Sequence, residues 1–250
     1  PAAGKRHLLK PVLGTLQLWG IAVGLVISGE YFGWSYGWAS AGTLGFTITS
    51  IFIAAMYATF IFSFTELTTS IPHAGGPFAY SKRAFGPTGG YLAGAATRQI
   101  FALAREAYLP SYFAGVHPRF KTPHRAILAG GMIGIAAIFS DELIKIGGQT
   151  LTANIVTMAV FGAILMYILS MLSLFRLRHL EPDMVRPFRA PFYPYFPAFA
   201  LFGAVVCLGT MIFYNPLIFA IFVLFLLLGY GYFRLTGQQR ADAIALSGEH

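Results

Sequence analysis

A chain of 250 residues that is 56% hydrophobic and only 10% charged lies far from the roughly 25% charged composition of soluble domains, which excludes an ordinary water-soluble fold. Its apolar runs are long and do not alternate with polar residues, so membrane-spanning helices are expected and a transmembrane barrel is not. The net charge of +8 would suit nucleic acid only on a solvated basic face; here the cations sit in short loops between apolar runs, making the lipid bilayer the expected partner.

A hydrocarbon core about 30 Å thick takes ~20 apolar residues per helical span. The first such run covers residues 13–36 and the second 44–65, with the uncharged turn 38–43 between them. Residues 1–10 are basic, but no small-residue cleavage site follows the first run, which is therefore read as a retained span. A shorter run near 126–142 spans if it continues toward Ile146, and three more occupy about 150–175, 195–213 and 215–235. The expectation is an all-α integral membrane protein of about six transmembrane helices. With the N-terminus inside, all of the 17 Lys and Arg residues except Lys145 fall on the cytoplasmic side. Both termini are accordingly expected in the cytoplasm. The stretch 89–97 is too short to cross yet is flanked by Lys82, Arg83 and Arg98. It either lies at the membrane surface or remains where an even number of spans is absent.

Several motifs carry candidate chemistry. In the first run, Ile27, Ser28, Gly29, Glu30 and Tyr31 place an ionisable side chain among glycines. Glycine costs about 1 kcal/mol in a helix interior, so local unwinding around a polar ligand is one reading. A carboxylate at mid-span is a functional-site hypothesis in itself. The other reading is helix packing, because Gly20/Gly24 and Gly29/Gly33/Gly37 recur every fourth residue, with Glu30 snorkelling. Further on, Glu66, Pro72, Gly75 and Gly76 mark a loop in which proline ends a helix and the glycine pair turns sharply; a bland cytoplasmic loop explains the same composition. Gln149, Thr152 and Asn154 stand at the outer end of a span, either as pathway groups or as caps and packing. Arg186 to Tyr195 mixes cations with aromatics, as an interfacial anchor does.

Enzymatic chemistry finds no foothold. The six histidines lack metal-ligand spacing, and no phosphate-binding glycine loop precedes a Lys-Ser or Lys-Thr pair. Glu30 and Glu66 lie at opposite ends of the expected membrane regions, too far apart for a paired acid and base. Cys207 is the only cysteine and can form no intrachain disulfide. No catalytic residue, metal or cofactor is expected.

Gly24 through Gly29, Glu66 through Pro77 and Phe85 through Gly90 together resemble the amino acid-polyamine-organocation permeases. Ile27-Ser28-Gly29-Glu30-Tyr31-Phe32-Gly33-Trp34 and Ser70 through Tyr80 look most like the bacterial ethanolamine permeases within them. Arg98 through Arg105, Tyr108-Leu109-Pro110, Thr122 through Ala126 and Gly147 through Thr150 resemble the closing third of the same family. The resemblance implies a shortened version of a twelve-span fold with two inverted five-helix repeats, whose first and sixth helices are broken around the substrate. It makes residues 1–97 the counterpart of helices 1, 2 and the start of 3, and 98–250 that of the end of helix 8 and helices 9–12, with the segment between missing. It further implies a multi-pass secondary transporter of the bacterial inner membrane, moving ethanolamine or a related small amine or amino acid by alternating access. Ile27, Ser28 and Gly29 would form the unwound segment, with Glu30 beside the ammonium. The alternatives are an inactive, internally deleted remnant and a six-span scaffold that needs a partner chain or self-association.

Overall fold

The computed structural model describes residues 14–73, 75–96, 145–146 and 149–235, with a few isolated positions between 128 and 140. Helices α1 (Thr15–Ser70), α2 (Pro77–Ala96), α3 (Leu151–Leu180), α4 (Tyr195–Tyr214) and α5 (Pro216–Leu235) account for nearly all of them. The two-residue strands β1 (Lys145–Ile146) and β2 (Gln149–Thr150) pair antiparallel, with Lys145 opposite Thr150. Among the described residues, 4 helical segments are long and apolar enough to cross a membrane: Ala41–Ser70, Ala153–Leu180, Tyr195–Tyr214 and Pro216–Leu235. They match four of the expected spans. The run expected near 126–142 lies mostly outside the described residues, and the run at 13–36 is described by its backbone, which is helical from Thr15 onward.

The chain divides into two compact units, Pro1–Ala55 and Met56–His250. In the first, α1 breaks at Gly42 (φ 64°, ψ 175°), within the turn expected at 38–43. That backbone conformation is essentially restricted to glycine. Trp38 and Phe46 face each other across the break at 5.4 Å, and the hydroxyls of Thr47 and Thr49 donate to the carbonyls of Thr43 and Gly45. Those bonds satisfy the two hydroxyls within the helix itself.

Proline sets most helix ends in the second unit. The last residue of α1 is Ser70, two positions before Pro72, where the backbone is steered away from helical angles. Pro77 and Pro216 occupy the first positions of α2 and α5, where the missing N–H costs nothing. Gly86 (φ 72°, ψ −165°) kinks α2 just ahead of Pro87.

Helix α3 is central, packing against α2, α4 and α5. Its buried face alternates bulk with small polar groups, Phe161, Met171, Leu174 and Leu177 beside Ser170 and Ser173. The serines let neighbours come close, and Ser173 meets Ser81 of α2 at 3.2 Å. Phe161 packs with Ile218 and Phe222 near the starts of α3 and α5. Leu174 and Leu177 pack with Leu67, Tyr80 and Ala84 at the opposite end. There also Phe233 of α5 meets Phe78 and Tyr91 of α2, and Phe196 of α4 meets Phe62. The second segment of α1 thus runs parallel to α3 and α5, and α4 runs antiparallel to them. Lys82, Arg83, Arg176, Arg178, Arg186, Arg189 and Arg234 belong to the end bearing Ser70 and Leu180, whereas Lys145 belongs to the other. Among the described residues of the second unit, the segregation of positive charge read from the sequence is therefore present. Residues 89–96, expected as a surface piece or a remnant, form the helical second half of α2. Tyr91 there donates its hydroxyl to the carbonyl of Leu226 at 2.9 Å, against the bare backbone of Gly229.

Candidate functional site

The most highly developed polar cluster is built on Glu66, one turn from the end of α1. Its side chain is 1% exposed. Arg178, in the last turn of α3, grips it with a two-pronged contact, Nε to Oε1 at 2.8 Å and Nη2 to Oε2 at 2.6 Å. Arg186 adds a second cation, with Nε 3.2 Å from Oε1, and the Ala190 N–H donates to Oε2 at 2.7 Å. Such forked, charge-assisted bonds are short and roughly twice as strong as neutral ones.

The partners are themselves held. The Arg178 guanidinium lies 3.9 Å over the ring of Tyr193, a cation–π arrangement. Arg186, 6% exposed, donates to the carbonyls of Leu177 and Glu181 through Nη2 and of Pro182 and Met184 through Nη1. It thereby clips the last turn of α3 to the connection that follows, sharing the Leu177 and Glu181 carbonyls with the N–H groups of Glu181 and Met184. One carboxylate thus ties the end of α1 to the end of α3 and to the connection leading into α4.

This corrects the sequence reading of Glu66 as a loop residue: it is helical, and the loop begins only after Ser70. The arginines expected to be topological markers and anchors include its two partners, Arg178 with a partly buried side chain and Arg186 with a buried one. The partners lie 112 and more residues along the chain, so no local pattern reveals the pairing. A lone carboxylate at the end of one apolar run and a cluster of arginines after a later one are the available signal.

Pro72, Gly75 and Gly76 do form a tight turn, as expected. Gly76 has φ 45°, and the Gly75 N–H donates to Nδ1 of His73 at 2.9 Å. A Cβ at Gly75 would meet that ring at 3.0 Å and Phe78 at 3.1 Å. The first amides of α2 are satisfied within the turn, Phe78 by the Gly75 carbonyl and Ala79 by that of Gly76. Tyr80 donates to the hydroxyl of Thr68 at 3.2 Å; burial pushes its own hydroxyl pKa up. Beside the turn lies an open cleft of about 400 Å³ lined by His73, Phe78, Ala79, Lys82 and Arg83. Arg83 forks onto Glu181 at 2.8 and 2.5 Å. The hydrogen bond from Arg83 holds the Glu181 carboxyl below the usual carboxylate range.

The remaining sequence candidates are not gathered into this region. The backbone of Ile27, Ser28, Gly29, Glu30 and Tyr31 is helical, and the single non-helical residue inside α1 is Gly42. The expected unwinding at Ser28 and Gly29 is thus replaced by continuous helix; the side chains of these five lie outside the described residues. Gln149 belongs to β2. Asn154 is buried in the first turn of α3 at 4% exposure, about 36 Å from Arg178 at ~1.5 Å per residue along that helix. Among the described residues no group of three or more His, Cys, Asp or Glu is placed to hold a metal ion.

The amino acid permease family matches residues 91–230. The methylthioribose transporter of Bacillus subtilis (strain 168) is 34% identical over 117 residues, covering 47% of this chain and 23% of that protein. The branched-chain amino acid permease BcaP of the same organism is 27% identical over 133 residues, covering 53% of this chain and 26% of that protein. The chain thus spans about a quarter of the length of these curated relatives.

Proposed function

The chain belongs to the amino acid permease family, and from that premise we propose that it serves secondary transport of a small amine or amino acid across the bacterial inner membrane. The observation that carries the reading is the family match over 91–230, a stretch that includes three of the helices long and apolar enough to span a bilayer, Ala153–Leu180, Tyr195–Tyr214 and most of Pro216–Leu235. Ethanolamine is the proposed substrate, on the resemblance of Ile27 to Trp34 and Ser70 to Tyr80 to ethanolamine permeases. Glu30 faces the ammonium, and the backbone around Ile27, Ser28 and Gly29 lines the site after unwinding from the helical state. Gln149 and Asn154 serve the pathway. Both termini are cytoplasmic, placing the arginine-rich end of the second unit inside. During alternating access the ends of α1 and α3 move as one body, because the Glu66 cluster joins them.

Uptake of labelled ethanolamine by proteoliposomes tests this. Accumulation that Glu30→Gln and Gly29→Leu abolish, and that branched-chain amino acids and methylthioribose fail to compete, is the expected result. Competition by either would move the substrate assignment to the compounds for which the relatives are named. A second reading is favoured by the basic residues on both sides of 89–97: the segment between residues 97 and 98 is an internal deletion, and the chain is an inactive remnant or a scaffold that self-associates or recruits a partner chain. Uptake appearing only in a cross-linked dimer supports the scaffold, and no uptake in either form supports the remnant.

A further inference from the structure

Among the described residues, the side chains lining the cleft beside the α1–α2 turn include three that can donate and no carboxylate. His73 receives the Gly75 N–H on Nδ1, so in its neutral form the ring carries its proton on Nε2 and offers a donor. Lys82 brings an ammonium whose stem rests on Gly90, where a Cβ would approach the Lys82 Cβ to 2.9 Å. Its Nζ stands 5.6 Å from the centroid of the Phe78 ring. Arg83 commits Nε and Nη2 to Glu181 and keeps a side chain nearly half exposed. Phe78 and Ala79 supply an apolar wall. The first turn of α2 borders the cleft, ahead of the break at Gly86, so the positive end of the dipole of the segment 77–85 adds to the field although its amides are already bonded. The cleft also sits at the end of the Ala41–Ser70 span, which is the depth of lipid headgroups.

We propose that this cleft binds a phosphate group, as carried by an anionic lipid headgroup or by free phosphate, through His73, Lys82 and the exposed part of Arg83. An apolar wall next to converging donors fits a phosphodiester with a glyceryl or acyl portion, and basic pockets at the headgroup level are a recurring form of lipid recognition. The proposal concerns a surface of the second unit and does not depend on which substrate is transported.

Native mass spectrometry of the full chain, exchanged between phosphatidylglycerol and phosphatidylcholine micelles, supplies the test. Retention of phosphatidylglycerol over phosphatidylcholine is expected, weakened roughly fivefold for each charge removed near the surface. Lys82→Gln should show that loss, His73→Gln a smaller one, and Lys82→Arg should restore binding. Arg189→Gln removes a cation from the same end of the unit without touching the cleft and should leave the preference unchanged. Equal retention of the two lipids overturns the proposal, as does an Arg189→Gln effect equal to that of Lys82→Gln. Excess inorganic phosphate separates the sources: displacement of phosphatidylglycerol supports a free-anion site, and undisturbed retention supports a lipid site. Melting temperatures of all four variants within the scatter of the parent show that the changes report binding and not unfolding.

Discussion

Removing the Glu66 carboxylate leaves Arg178 and Arg186 facing each other with the charge between them gone. Breaking a buried ion cluster from one side costs about 3–5 kcal/mol, so Glu66→Ala should lower the melting temperature in detergent by many degrees. Removal of Arg178 should cost less, because Arg186 and the Ala190 N–H still hold the carboxylate. If both substitutions melt alike, the cluster is not organised around Glu66. The pair Arg83 and Glu181 is the contrasting case, with 46% and 34% of the side chains exposed. Exposed pairs contribute about 0–1 kcal/mol, and Arg83→Gln should change stability within that range and less still at high salt. Because Arg83 lowers the folded-state pKa of Glu181, the small contribution is present above the unfolded carboxylate pKa. It disappears as pH falls through the folded value. A pH series of melting temperatures with and without Arg83 should converge at the acid end and diverge toward neutrality.

At the level of elements, two glycines should respond to alanine in opposite directions. Gly86 has a φ of 72° with open space around it, so Gly86→Ala suffers backbone strain of about 1–3 kcal/mol without any clash. Gly209, inside α4 with nothing within 4 Å of a new Cβ, gains helix propensity, and Gly209→Ala should stabilise by up to about 1 kcal/mol. Thermal unfolding of the two variants side by side checks the signs. Helix boundaries of this kind were readable in advance, since Pro72, Pro77 and Pro216 and the glycines near 42 act through local backbone geometry. Span positions were readable too, because apolar length is a local property. The Glu66 cluster was not, as its members meet only after α1 and α3 pack. The sequence leaves Ser28 and Gly29 open between unwinding and helix packing, because glycine lowers helix propensity by an amount that surrounding residues can offset.

Across the whole second unit, the charge distribution makes a prediction about sidedness. In a Cys207→Ser background, cysteines placed at Lys82, Arg189 and Arg234 should react with an impermeant thiol reagent from one face of the membrane, and one at Lys145 from the other. Mixed reactivity among the first three would contradict the common end on which they lie. The outward surfaces of α4 and α5 carry Phe202, Val205, Phe213, Leu224, Phe225 and Leu228 in exposed positions. That is the inverse of a water-soluble bundle, and lipid tails or further helices are the solvent it suits. The Glu66 cluster also imposes a timetable. The ribosome releases Glu66 long before Arg178, and with 112 residues between them at ~5–20 residues per second the interval is on the order of 6 to 22 seconds. Throughout that time the nascent segment ending in Ser70 carries its acid at the membrane margin without the two arginines that hold it in the folded chain.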